Sequence, residues 1–270
     1  MKTLLRIVVL TAVLVAIPFK AVSAKTITIA VIDSGIDYRA PDLCKMGHKS
    51  FSEELPDPLK DENGHGTHVA GLVSKTTGAG DYCLVSIKYY NESVPGKVNL
   101  DNMIKAIKYA VNIKVDFINI SGGGPSYDIY EATAIKDALN SGIKIVTAAG
   151  NDHEDLDKEC GYFPACYDPR IIMVGNLYIS KDNRWLINNP QWRKLAELAK
   201  MQLPTVQYEV GIAASSNYGK RVTRWQMGSD VESNLPNPPG VPGVRQGNRT
   251  GTSQAAAIAT GWLVKQKLQK

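Results

Sequence analysis

Residues 25–35 read Lys25-Thr26-Ile27-Thr28-Ile29-Ala30-Val31-Ile32-Asp33-Ser34-Gly35, and their pattern decides the fold class. Polar and apolar residues alternate at first, then the run becomes continuously apolar, as expected of a strand that enters the middle of a sheet. It ends in a carboxylate. An Asp directly after a buried strand either forms a turn or stands as a functional group at the carboxyl edge of the sheet, and position alone leaves both readings open.

Further strands are expected at Leu84 to Tyr89, Val115 to Ile120, Ile143 to Thr147 and Ile171 to Val174. Helical patterns lie between them. Asp101 is expected to cap a helix whose Ile104, Ile107, Ala110 and Val111 recur at helical spacing, and residues 128–141 read as a helix closed by Gly142. This alternation predicts an α/β, three-layer fold, with a mostly parallel central sheet flanked by helices and ligands bound at the carboxyl ends of the strands. Asp33, the stretch Ser121-Gly122-Gly123-Gly124 and Asn151 all fall at such ends. Ser121 to Gly124 has almost no side chains, which leaves its backbone open to close approach, although a flexible loop has the same composition.

Two further stretches carry chemistry-bearing residues. Asp61-Glu62-Asn63-Gly64-His65-Gly66-Thr67-His68 leads into Val69-Ala70-Gly71-Leu72-Val73, a helix with His65 at its exposed mouth and His68 turned inward as a structural residue. A metal pair would want the HExxH arrangement, which HGTH lacks. Near the chain end, Gly251-Thr252-Ser253-Gln254-Ala255-Ala256-Ala257 opens a run that stays apolar through Val264, a buried helix with Ser253 at its mouth. A serine there is ordinarily an N-cap; the same unpaired N–H groups and helix dipole also suit attack on a carbonyl and stabilisation of an oxyanion.

With 44% hydrophobic and 21% charged residues, the 270-residue chain has the composition of a folded domain and not of a disordered one. Residues 1–24 stand apart. Lys2 and Arg6 precede an apolar segment from Ile7 to Phe19, and Val22-Ser23-Ala24 resembles a cleavage site, so the segment reads as a signal peptide. A membrane anchor is the rival reading, but the apolar core is interrupted by Pro18 and is shorter than the roughly 20 residues that span a bilayer. Cleavage would remove Lys2, Arg6 and Lys20 and no acid, which takes the formal charge from +5 to +2 and leaves no case for nucleic acid. Four cysteines in an exported chain point to two disulfides, Cys160 with Cys166 across a short loop and Cys44 with Cys83, or else to free buried thiols; without a CxxC element, zinc is not indicated.

With these residues in view, the chain resembles the subtilisin-like serine peptidases over most of residues 26–263. VIDSGID around Asp33, HGTHVAG around His65, AAGN ending at Asn151 and GTSQAA around Ser253 are similar to the family's signatures and stand in its order, Asp, His, Ser. The resemblance implies a secreted serine endopeptidase over residues 25–270, with Ser253 as nucleophile, His65 as general base and Asp33 orienting the imidazole. Asn151 would donate to the oxyanion, Ser121 to Gly123 would pair with the substrate as a strand, and Gly123, Ala148, Ala149, Gly150 and Gly161 would wall a primary pocket roomy enough for a bulky apolar side chain. Asp152 near its rim would instead favour a basic one.

Departures from the pattern are also legible. Ala257 and Ile258 replace the proline and histidine of most relatives, the loop after Asn151 is acidic, an expansion is expected around 177–215, and Gln191 to Leu203 suits an amphipathic helix. The segment Leu235 to Gly243 reads as a rigid Pro-rich loop. No propeptide is recognisable, so unaided folding or a partner acting in trans, as folding aid or inhibitor, is implied. No cofactor is required; Asp42 resembles a calcium ligand without a matching loop, so calcium is left open but not predicted. The expected partners are polypeptide substrates, with no stable membrane span after signal cleavage and a secreted or periplasmic location. A non-catalytic peptide- or partner-binding protein on the same fold, or a peptide acyl transferase on the same triad, would share these residues.

Overall fold

The computed structural model describes residues 26–180 and 209–270. The expected signal peptide, most of the expected expansion around 177–215 and the helix expected over Gln191 to Leu203 lie outside the described residues.

The stretch that opens the sequence reading becomes β1 (Ile27–Asp33), which lies mid-sheet between β3 (Tyr82–Lys88) and β4 (Phe117–Ile120), parallel to both. β2 (Lys49–Ser50) lies beyond β3; β5 (Lys144–Ala148) and β6 (Ile172–Ser180) extend the other side. β7 (Glu209–Ile212) pairs antiparallel with β6, and β8 (Arg224–Met227) pairs parallel with it, so the sheet is mostly parallel as expected. Successive β1 side chains enter opposite cores because the strand period is two. Ile29 and Val31 pack with α1 (His65–Thr77) and α4 (Thr252–Leu268) on one face, while Ala30 and Ile32 pack with α2 (Gly96–Asn112) and α3 (Ile129–Asn140) on the other.

Alanine and glycine let α1 and α4 approach closely. A Cβ on Gly261 would stand 2.6 Å from Thr76 Cβ and 2.8 Å from Val73 O, and one on Gly66 only 2.0 Å from Gly35 O. Side chains at either place would force the helices off the sheet that aligns them. The two expected disulfides are present. Cys44–Cys83 spans 39 residues and Cys160–Cys166 spans six. In the chain-entropy picture they stabilise by on the order of 4 and 2 kcal/mol respectively.

Two expectations are corrected. The second helix starts at Gly96 and not at Asp101, because Pro95 supplies the bend into it; Asp101 sits within the helix and pairs with Lys97, 2.8 Å away. The Pro-rich segment is shorter than expected, since β9 (Val231–Pro236) and β10 (Val244–Arg249) form a separate antiparallel pair and leave only the turn between them. β9 packs on α1 so closely that a Cβ on Gly71 would lie 2.4 Å from Ser233 Oγ. His68 completes the contact, donating from Nε2 to Gly247 O at 3.0 Å, with its Nδ1 buried and without a partner. Burial therefore pushes its pKa down to about 4, against the Gly247 hydrogen bond, and keeps it neutral. This is the structural histidine that the sequence suggested.

Candidate active site

Asp33 ends β1 and is buried, with Oδ1 accepting from Ser34 N at 2.7 Å. His65 opens α1, and its Nδ1 lies 2.8 Å from Asp33 Oδ1 and 3.0 Å from Oδ2. An ionised carboxylate only accepts, so Nδ1 carries the proton and Nε2 is left with a free lone pair. Burial by itself lowers the His65 pKa, but the charge of Asp33 and its hydrogen bond outweigh it and, with a smaller contribution from Asp61, raise the pKa above the ordinary imidazole value despite opposition from Arg249.

Asp61, to which sequence reading gave no role, sets the angle of α1. Its Oδ1 accepts from Gly64 N and Ser34 Oγ, both at 2.8 Å, while Oδ2 accepts from Thr67 N at 2.8 Å and Thr67 Oγ1 at 2.6 Å. Ser34 Oγ accepts in turn from Gly66 N at 3.0 Å. One carboxylate thus satisfies the free N–H groups at the helix start and ties them to the end of β1. Its position ahead of a helix that lacks a capping Ser, Thr, Asp or Asn at Gly64 was the available signal.

Ser253 lies in the first turn of α4, 8% exposed. Its hydroxyl donates to Ser121 O at 2.7 Å, and Ser121 Oγ donates back to Ser253 O at 3.0 Å. Among the described residues no hydrogen bond joins Ser253 to His65. Asn151 follows β5, and its Oδ1 accepts from Thr252 N at 3.0 Å and Thr252 Oγ1 at 3.1 Å. With the carbonyl end of the amide held this way, Nδ2 is left to donate elsewhere. Thr252, also missed from sequence, accepts in addition from Gly150 N at 3.3 Å. The structure therefore joins Asp33 with His65, and joins Ser121, Asn151 and Ser253 through the start of α4.

The primary pocket departs from expectation. A Cβ on Gly123 or on Gly150 would each come within 2.8 Å of the Tyr162 ring, so that ring occupies the room the glycines leave. Phe163 is locked to Gly124 by backbone hydrogen bonds of 2.8 and 2.9 Å, which bring its neighbour Tyr162 over the glycine edge. Burial, with the charge of Asp152, pushes the Tyr162 pKa up to about 12. The ring narrows the space between Gly123 and Gly150 where the roomy pocket was expected, and Gly161 faces open space. The acidic loop after Asn151 is tied to the distant segment 217–221: Asn217 Oδ1 accepts from the N–H groups of Asp152 and Glu154, and Asp157 accepts from those of Lys220 and Arg221.

Residues 24–269 match the Subtilase family. The chain belongs to the subtilase family. It is 32% identical to the major intracellular serine protease of Bacillus subtilis over 259 residues, which cover 90% of this chain and 69% of that protein. The intracellular serine protease of Paenibacillus polymyxa is 39% identical over 55% of this chain and 49% of its own length, and the subtilisin of Bacillus pumilus 33% identical over 57% of each. The chain thus spans about half the length of the latter two. Among solved structures, a lanthipeptide protease has the same fold, with a TM-score of 0.65 and 22% identity over 90% of this chain and 74% of that one. A cold-adapted subtilisin-like serine proteinase gives 0.61 and 22% over 89% and 76%. The family is one of serine-type endopeptidases, hydrolases that take polypeptide substrates. Among the described residues of this subtilase no helix is long and apolar enough to cross a membrane, and no group of three or more His, Cys, Asp or Glu is placed to hold a metal ion.

Proposed function

We propose that this subtilase is a secreted serine endopeptidase that cleaves peptide bonds through an acyl-enzyme on Ser253. The observation that carries the reading is the two-oxygen contact of Asp33 with His65 Nδ1, which leaves Nε2 as a base beside a helix mouth. In the substrate complex the Ser253 hydroxyl swings from Ser121 O to His65 Nε2 and attacks the carbonyl carbon as its proton passes to the ring. Asn151 Nδ2 and the Ser253 N–H donate to the resulting oxyanion. His65 returns the proton to the departing amine as the C–N bond breaks; water then attacks the ester carbon and gives a proton to His65, which passes it to Ser253 Oγ as the ester C–O bond breaks, so that the carboxylate fragment leaves and both the hydroxyl and the neutral ring are restored. The signal-like segment and the two disulfides support export, to the outside or to the periplasm, although two of the similar relatives are named intracellular.

Folded protein spanning residues 25–270 is expected to gain the mass of one fluorophosphonate adduct, mapped to Ser253 by peptide analysis. A folded protein that takes no label would instead favour the non-catalytic binding reading, for which the Ser253–Ser121 hydrogen bond is the supporting observation, or the need for a partner acting in trans. Acyl transfer would appear as a conjugate formed with an added amine.

The position of Tyr162 adds a preference. Substrates with alanine on the acyl side of the scissile bond are expected to exceed those with phenylalanine by about tenfold or more in kcat/KM, and Tyr162→Gly to reverse the order. An unchanged ratio in the variant would show that the ring moves aside for substrate.

A further inference from the structure

Against the same glycine edge lies a cavity of about 460 Å³ whose lining does not include Tyr162. Its walls include Tyr89, Leu100, Met103, Phe163 and the Gly123–Gly124 backbone, an apolar sleeve with one acid in it, Glu131. Glu131 stands in the first turn of α3 and is 3% exposed. Its Oε2 accepts from Tyr167 OH at 2.7 Å, while Oε1 makes no hydrogen bond among the described residues. Tyr167 OH accepts from Asp128 N at 2.9 Å, so its own proton is free to serve Glu131. Among the described residues no cation pairs with this carboxylate. Lys97, the lysine on the cavity wall, has a side chain 64% exposed and is engaged with Asp101 at 2.8 Å and Asp128 at 3.7 Å. Two other carboxylates therefore already share that ammonium. A buried carboxylate with half of its hydrogen-bonding capacity unused is costly unless something else fills it.

We propose that this cavity is a substrate subsite that takes a lysine or arginine side chain, its aliphatic stem in the apolar sleeve and its cationic end on Glu131. The proposal rests on the protease reading, in which substrate pairs with the Ser121–Gly124 edge. Ser121 touches Ser253, and Gly123 and Gly124 lie two and three residues further along. At about 3.3 Å per residue, a strand paired there presents the cavity with a side chain about three or four residues from the scissile bond, on its amino side. Long basic side chains combine an apolar stem with a charged head, as the sleeve and its acid require, and the charge-assisted hydrogen bond would complete Glu131. Burial pushes the Glu131 pKa up to about 7, opposed by the Tyr167 hydrogen bond and reinforced by Asp128, which fits a carboxylate that lacks its counter-charge.

The test separates binding from turnover. Peptides carrying lysine, or uncharged norleucine of similar length, at each of five positions on the amino side of the cleaved bond are titrated at pH 8 against Ser253→Ala and Ser253→Ala/Glu131→Gln, both checked for native melting. Lysine is expected to bind about tenfold more tightly than norleucine at the third or fourth position. The advantage should vanish in the Glu131→Gln background while norleucine affinity stays put, since glutamine still accepts from Tyr167. Equal affinity for the two peptides at every position, or an advantage that survives Glu131→Gln, overturns the proposal. Hydrolysis of the same peptides by the unaltered protein reports separately on the protease reading, because the binding comparison does not need a nucleophile.

Discussion

Ser253→Ala is expected to lower kcat on a good peptide substrate by roughly 10⁶-fold, a loss of the size found when a subtilisin is deprived of its serine. The methyl group cannot form the ester, so what remains is rate enhancement from binding and from the oxyanion donors. Those are built separately. Asn151 is oriented by Thr252 and not by Ser253, and stays in place when the hydroxyl goes. The hydroxyl also donates to Ser121 O, so its removal should cost stability by about 1 kcal/mol, a shift of a few degrees at most in melting temperature. Single-turnover measurement of cleavage at saturating substrate gives the number. Activity within tenfold of the parent protein would remove Ser253 from the mechanism, provided that mass analysis excludes contaminating parent enzyme.

Asp33→Asn should reduce kcat by about 10⁴-fold, the effect known for the equivalent change in a chymotrypsin-like triad. An amide can present N–H to the ring and reward the wrong tautomer, with the proton on Nε2 where the lone pair is needed. The pH dependence distinguishes this from simple misfolding. In the parent protein Asp33 favours protonated His65, so the folded pKa lies above about 6.5, and kcat/KM should rise with pH through a midpoint above that value as the ring becomes a base. Taking the charge away leaves burial and Arg249, which both lower the His65 pKa, against only the smaller upward pull of Asp61, so the midpoint of Asp33→Asn should move down. A midpoint that does not move would mean that Asp33 is not the group that tunes His65. The same linkage acts on stability. The Asp33–His65 attraction contributes fully below the unfolded-state pKa of histidine and is lost as pH rises through the higher folded value.

How much of this was legible beforehand follows from the range of each interaction. The strands and most of the helices were readable because Ile29, Val31, Ile118, Ile120 and Ile145 are buried in any parallel sheet covered on both sides, and such burial leaves continuous apolar runs. The β9–β10 pair was not, since VESNLP and VRQGNR carry little apolar pattern and owe their order to contact with α1. The start of α2 was misplaced because an acidic residue at Asp101 looks like a cap when the bend supplied by Pro95 is overlooked. At the site, motif residues were found by their local signatures. Asp61 and Thr252 went unassigned because what they do depends on hydrogen bonds to backbone groups elsewhere in the fold. Tyr162 reversed a conclusion drawn from small residues alone, for glycines show only that space exists and not what fills it.

The placement of β1 and α4 has a consequence for the timing of synthesis. Asp33 lies on the first described strand and Ser253 on the last helix, yet the two elements pack in one core. α1, which carries His65, buries its apolar face largely against α4, so a nascent chain still lacking α4 has little to hold that helix in place. On the protease reading, base and nucleophile would come together only when the last described helix docks against α1, so an unfinished copy would lack an assembled site.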